Sequence, residues 1–221
     1  MSLKYECHTT RGGSILRQVV IVDYGVGNIR SVENAFKSLG FDNIVVSKKE
    51  NDIQNAACLV LPGVGAFADA MNALRKDQLV GLLEEQVLNR KKPLLSICVG
   101  MQLLFDSSEE GHAQGLGWIP GQVVKFQVPP ELTVPHFGWN DIQIKKEEWL
   151  FANMGAEKNF YFAHSYHAKT DFKYVVATCD YGSEIPIVVK RDNILGIQFH
   201  PEKSHNGGRT LLKNYVNSIF K

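Results

Sequence analysis

Cys98 sits at the joint of "LLSICVGMQ", between a fully apolar run and a segment with helical spacing. A cysteine on a sharp strand-to-helix turn is lifted above the carboxyl edge of a sheet, where open α/β folds keep their sites. Backbone N–H groups at such a turn favour thiolate over thiol, and the Val99 N–H is placed to receive a developing oxyanion. Gly100 leaves the approach uncrowded. The competing account is an inert packed thiol, since free cysteine is commonly buried.

A thiolate that attacks an amide needs a proton donor for the departing nitrogen, and that donor must be held in one tautomer. "GIQFHPEKS" supplies His200 and Glu202, two residues apart. If residues 194–199 form a strand and Pro201 keeps the chain extended, both side chains project to the same side. His200 would then trade protons with Cys98 while Glu202 orients the ring. "LPGVGAF" ends another strand with Gly63 and Gly65, whose permissive backbones can aim a second N–H donor into a cleft. Singly, a strand-end histidine, a solvated acid and a glycine-rich turn are ordinary features. Their occurrence together with an elbow cysteine is what argues for chemistry.

Two other patterns carry less. "DYGVGNIRSV" imitates half of a dinucleotide fingerprint, but Arg30 stands where a glycine is wanted and no ribose-binding acid follows at a strand end. His164 and His167 in "HSYH" would point to opposite faces of a strand, and no cysteine or histidine cluster accompanies them. No metal and no cofactor is expected.

The elements that must position these residues follow from apolar periodicity. "QVVIVDY" reads as a buried strand, followed by Ile29, Val32, Ala35, Phe36 and Leu39 at helical spacing and a stop at Gly40. "NIVVS", "CLVLPG" and "PLLSI" read as further strands, with "AFADAMNALRK" and "QLVGLLEEQVLNR" as helices between them. This predicts an α/β fold with an open, doubly wound, mostly parallel sheet flanked by helices. After Phe105 closely spaced strands take over, "GQVVKFQV", "DIQIKK", "FYFAHSY", "YVVATC" and "IPIVVKRDNILGIQF", with "RDN" as a hairpin tip, so an antiparallel β region is added in the second half. Leu211, Leu212, Tyr215, Val216 and Ile219 form the apolar stripe of a covering helix.

A chain of 221 residues, 44% hydrophobic, supports one sizeable core. We expect a single domain over residues 18–221 behind a loose extension at residues 1–17. A formal charge of +1 without blocks of either sign offers no nucleic-acid or membrane surface. Four scattered cysteines without a CxxC pair favour a reducing, cytoplasmic setting. No apolar stretch approaches the roughly 20 residues that span a bilayer, and residues 1–17 lack the apolar centre of a signal peptide.

Taken together, "SICVGMQ" resembles the nucleophile elbow of the class I, triad-type glutamine amidotransferases, and "FHPEKS" resembles their His-x-Glu segment. Within that family "VDYGVGNIRSV", "LPGVGAF", "VPHFGWN", "YFAHSYH" and "GIQFHPEKS" are most similar, in order, to the glutaminase subunits that feed ammonia to a (β/α)8-barrel cyclase. The resemblance implies that Cys98 attacks glutamine, His200 protonates the leaving ammonia and activates water, and Glu202 orients His200. It further implies that Gly63, Gly65 and Val99 line the oxyanion and substrate region, that Gln102 contacts glutamine, and that Ser165 and Tyr166 grip its amino-acid end. Asn28, Tyr161 and Lys203 are implied to lie on the docking face of a heterodimer with the separate cyclase, which makes imidazole glycerol phosphate in histidine synthesis. Ser96, Phe137 and His205 depart from the usual residues of these motifs. They leave two alternatives open: a paralogue serving another acceptor, such as an enzyme of surface-sugar amidation, and a non-catalytic subunit.

Overall fold

The computed structural model describes residues 18–146, 148–155 and 157–220. The extension read into residues 1–17 lies outside them. The first half alternates as its apolar pattern requires. Strand β1 (Val19–Val22) leads to helix α1 (Ile29–Lys37), β2 (Ile44–Ser47), α2 (Glu50–Asn55), β3 (Cys58–Gly63), α3 (Phe67–Lys76) and α4 (Leu79–Glu84). A π-helical turn, Glu85–Asn89, prolongs α4 before β4 (Leu94–Cys98) and the single turn of α5 (Val99–Gln102). Helix α1 shows the logic in small: Val32 and Phe36, four apart, bury against the core, each worth about 1.5–3 kcal/mol relative to exposure.

The second half is richer in strands: β5 (Ser107–Ser108), β6 (Ala113–Gln114), β7 (Gly121–Lys125), β8 (His136–Ile144), β9 (Asn159–His164), β10 (Tyr166–Thr170), β11 (Val175–Asp180), β12 (Glu184–Arg191) and β13 (Ile194–Ile197). Helix α6 (His205–Ile219) follows, burying Leu211, Leu212, Tyr215 and Val216 as the stripe predicts.

Nine strands form one sheet in the order β2-β1-β3-β4-β13-β12-β11-β8-β9. The run from β2 to β13 is parallel, and β12, β11, β8 and β9 continue it in antiparallel pairs. The antiparallel region therefore largely extends the parallel sheet. A smaller sheet, β10-β7-β5-β6, stands beside it. The expected hairpin at "RDN" is present, with Arg191 pairing Ile194 across a two-residue tip.

Two expectations change. "FYFAHSY" is not one strand: the chain breaks at Ser165, so β9 belongs to the large sheet and β10 to the small one. The alternation rule therefore fails for His164 and His167, and both rings meet Phe126, with centroids 5.1 and 4.9 Å away. Residues 194–199 are strand only to Ile197, and Pro201–Lys203 forms a 3₁₀ turn instead of continuing extended.

Candidate active site

Strand β4 is buried along its whole length, as expected of a strand covered on both faces. It ends on Cys98, whose backbone has φ 55° and ψ −115°. A side-chain-bearing residue at positive φ is strained, and such strain persists only where the surroundings impose it. Here they do. Cys98 pairs with Gly63 at the end of β3, and α5 turns back against β3 so closely that a Cβ on Gly100 would lie 2.0 Å from the Leu61 carbonyl oxygen. A Cβ on Gly63 would lie 2.6 Å from the Gly100 nitrogen. Both glycines are thus needed for close approach. Gly63 has no left-handed backbone, whereas Gly65, with φ 84°, does take the conformation that glycine permits.

Because α5 is only one turn long, its contribution at Cys98 is less a macrodipole than the N–H groups of its first residues, which have no helical partner by position. The opposing charge comes from across the sheet. Strand β13 lies beside β4, Ile197 paired with Ile97, and carries the chain up to His200 at the same edge. His200 is buried and hydrogen-bonds the Cys98 sulfur. The residue before a proline avoids the helical region, and His200 sits at φ −97°, ψ 96°. The 3₁₀ turn after it folds the Glu202 carboxylate back so that Oε1 lies 2.8 Å from His200 Nδ1. The same-side placement expected of the two residues holds, through a turn instead of through strand alternation.

Neighbouring bonds fix the histidine backbone. Its N–H donates to the Tyr161 carbonyl at 2.9 Å, and its own carbonyl accepts from Ser204 Oγ at 2.6 Å. Burial by itself would lower the imidazole pKa, but bonds to Cys98 and Glu202 outweigh it and hold the ring up to about 10. The group is therefore a ready cation beside the sulfur at neutral pH.

Two polar neighbours were not singled out from the sequence. Tyr24 is buried, donates to the Pro62 carbonyl at 2.7 Å, and has its phenol pKa pushed well up by burial and by the adjacent Cys98 sulfur. Gln198, fully buried, aims Nε2 at Cys98 Sγ, 3.8 Å away. A glutamine inside the apolar run "LGIQF" was the available signal, because a buried amide must find partners.

The residues named by resemblance divide into groups. Gln102 is buried, and its Nε2 donates to the Tyr166 carbonyl and to Gln198 Oε1, both at 3.0 Å, so this amide nitrogen is tied to the protein. Ser165 and Tyr166 form the corner between β9 and β10, half-buried. Tyr161 and Lys203 lie beside His200, the ring centroids of Tyr161 and His200 being 6.3 Å apart and Lys203 Nζ 5.3 Å over the Tyr161 ring. Asn28 opens α1, at the same carboxyl end of the parallel strands. Around Tyr161 gather Phe137 and Trp139, which are 69% and 44% exposed, and His205, stacked on Trp139 at 4.7 Å.

A family model described as "Glutamine amidotransferase class-I" matches residues 20–218. The chain belongs to the class-I glutamine amidotransferases. Among similar members of the family, "Imidazole glycerol phosphate synthase subunit HisH 2" of Vibrio vulnificus (strain YJ016) is 48% identical over 203 residues, 91% of this chain and 95% of that one. "Imidazole glycerol phosphate synthase subunit HisH" of Leptospira borgpetersenii is 42% identical over 200 residues, 89% of this chain and 98% of its own. Two solved structures share the fold at a TM-score of 0.69. One, "Crystal structure of glutamine amidotransferase", has 17% identity and covers 92% of this chain and 99% of the other. The second, "Structure of PurLQS from Thermotoga maritima", has 18% identity and covers 91% and 98%. In this amidotransferase the strained cysteine thus ends one strand, and its histidine and glutamate follow the end of the neighbouring strand.

Proposed function

We propose that the chain is the glutaminase subunit of an imidazole glycerol phosphate synthase, residues 18–221 forming one amidotransferase domain. The observation that carries this reading is the buried, hydrogen-bonded series Cys98–His200–Glu202, in a chain whose relatives bear that subunit's name. The Cys98 thiolate attacks the side-chain amide carbon of glutamine. The oxyanion is met by the Val99 N–H and by a backbone donor of the Gly63–Gly65 segment. His200 gives its proton to the nitrogen as the C–N bond breaks, releasing ammonia and leaving a glutamyl thioester on Cys98. The now neutral His200 takes a proton from water, whose oxygen attacks the thioester, and glutamate leaves as Cys98 is restored. Glu202 keeps His200 in the required orientation throughout.

Ammonia then passes to a separate (β/α)8-barrel cyclase, which forms imidazole glycerol phosphate in cytoplasmic histidine synthesis. The exposed rings of Phe137 and Trp139, packed on the half-buried Tyr161 with Lys203 beside it, support docking there, one ring away from His200. Asn28 belongs to the same face in this proposal, and Ser165 and Tyr166 hold the amino-acid end of glutamine. Among the described residues no helix is long and apolar enough to cross a membrane.

The test is the assembled complex. It should release glutamate and form imidazole glycerol phosphate, and Cys98→Ala should abolish both with glutamine as nitrogen source. A glutamine-like diazo ketone should modify Cys98. Glutamate release that survives Cys98→Ala, or a complex that works only with a different acceptor enzyme, would overturn the reading.

A further inference from the structure

Behind the Ser165–Tyr166 corner lies a pair of buried imidazoles that the mechanism above does not use. His136 opens β8, His164 closes β9, and the two are directly paired across the strands. His136 Nδ1 and His164 Nε2 are 3.1 Å apart, His164 Nδ1 is 2.8 Å from the Tyr166 carbonyl oxygen, and Asn140 Nδ2 is 3.3 Å from His136 Nε2.

The tautomers of this chain follow from its two ends. A carbonyl only accepts, so His164 carries its proton on Nδ1 and, as a neutral ring, presents a bare Nε2. His136 must then donate from Nδ1 and accept at Nε2, which suits the Asn140 amide, a donor in any state. Burial keeps both rings neutral, lowering His136 to about 4 and His164 to about 3. Asn140 is itself anchored, Nδ2 donating to the Asp180 carbonyl at 3.0 Å. Stacking on Tyr181 at 3.9 Å and on Phe162 at 4.6 Å holds the His136 ring.

The far end is a junction. The Tyr166 carbonyl that accepts from His164 Nδ1 also accepts from Gln102 Nε2, and Gln102 binds Gln198, whose amide reaches Cys98. The neighbouring Ser165 carbonyl accepts from the Phe126 N–H at 3.1 Å. The corner joins two sheets, His164 pairing His136 in one and Tyr166 pairing Lys125 in the other, and these side-chain bonds tie that junction to the nucleophile.

We propose that His136 and His164 are positioning residues for glutamine binding, their hydrogen-bonded pair fixing the Ser165–Tyr166 corner at the distance from Cys98 that one glutamine requires. This rests on the glutaminase reading above. His136→Phe preserves ring volume and stacking but removes the donor to His164, whereas His136→Asn keeps an N–H near the position of Nδ1.

The experiment compares these variants, each assembled with the cyclase, by glutamine KM and kcat for glutamate release. Inactivation by a glutamine-shaped diazo ketone, which needs the corner, is measured beside alkylation by iodoacetamide, which needs only the nucleophile. His136→Phe should raise KM and slow the diazo ketone about tenfold, with kcat and iodoacetamide rates kept within about threefold. His136→Asn should recover most of the loss. An unchanged KM in His136→Phe overturns the proposal alone, as does an equal loss with both reagents, which marks general disorder of the site. A wild-type complex that releases no glutamate overturns the glutaminase reading and this proposal with it.

Discussion

His200 Nδ1 rests 2.8 Å from Glu202 Oε1, and the same ring hydrogen-bonds the sulfur of Cys98. Replacing the carboxylate by an amide, Glu202→Gln, keeps the shape but withdraws the charge. We expect kcat for glutamate release to fall by about 10²–10⁴, while Cys98→Ala leaves no measurable activity. The His200 ring, held up to about 10 in the intact site, should titrate at lower pH in Glu202→Gln, as followed by NMR of the imidazole. Unchanged turnover in Glu202→Gln would remove the carboxylate from the mechanism.

The turn at the nucleophile tolerates no extra carbon. With a Cβ at 2.0 Å from the Leu61 carbonyl oxygen, Gly100→Ala must push α5 off β3. A cost of about 1–3 kcal/mol, or more, is expected for such overpacking. Thermal melting should show a drop of several degrees, on the order of 2–4 °C per kcal/mol at this chain length. A variant as stable as wild type would contradict the described packing.

The paired imidazoles predict acid lability. Burial depresses His136 and His164 to about 4 and 3, below the ordinary value of 6.5. Between those limits the unfolded chain binds protons that the folded one refuses, so stability rises with pH there. The stabilising contribution is fully present above pH 6.5 and is lost as pH falls toward 4, with a slope of about 1.4 kcal/mol per pH unit for each histidine. His136→Phe should remove about one proton from that slope, read from urea denaturation midpoints at pH 5, 6 and 7. A slope identical to wild type would count against the neutral pair.

On the exposed face, Trp139 is the largest ring of the group around Tyr161, and it is stacked on His205. Buried aromatic anchors dominate interfaces, and truncating one commonly costs about 2 kcal/mol or more. Trp139→Ala should therefore weaken binding of a purified barrel cyclase by about thirtyfold in calorimetry. Iodoacetamide labelling of Cys98 in the isolated subunit should not change. Binding at wild-type affinity would move the docking face elsewhere.

Much of this arrangement is legible in the residues alone. The elbow announces itself because an unbroken apolar run, a cysteine and a close glycine leave few other conformations, and the His-x-Glu pair needs only two residues of chain. What local pattern cannot reveal is which strands become neighbours. Nothing in "NILGIQF" says that β13 inserts between β4 and β12, yet that insertion brings His200 to Cys98. The corner at Ser165 is equally hidden, because apolar alternation runs straight through "FYFAHSYHA" while the chain passes there from one sheet to the other, a junction bonded by Phe126, His164 and Gln102. The pairing of His136 with His164 depends on the register of β8 and β9, a long-range property. Tyr24 reaches the sulfur only because β1 neighbours β3.

The place of β13 in the sheet also bears on how the chain is made. During synthesis the cysteine strand emerges well before its imidazole, and β4 lacks its β13 neighbour until the strand at Ile194–Ile197 has been translated and docked. A nascent chain therefore carries a sulfhydryl without its proton partner. The capacity to liberate ammonia switches on only as folding nears completion, so that partly built copies are chemically quiet.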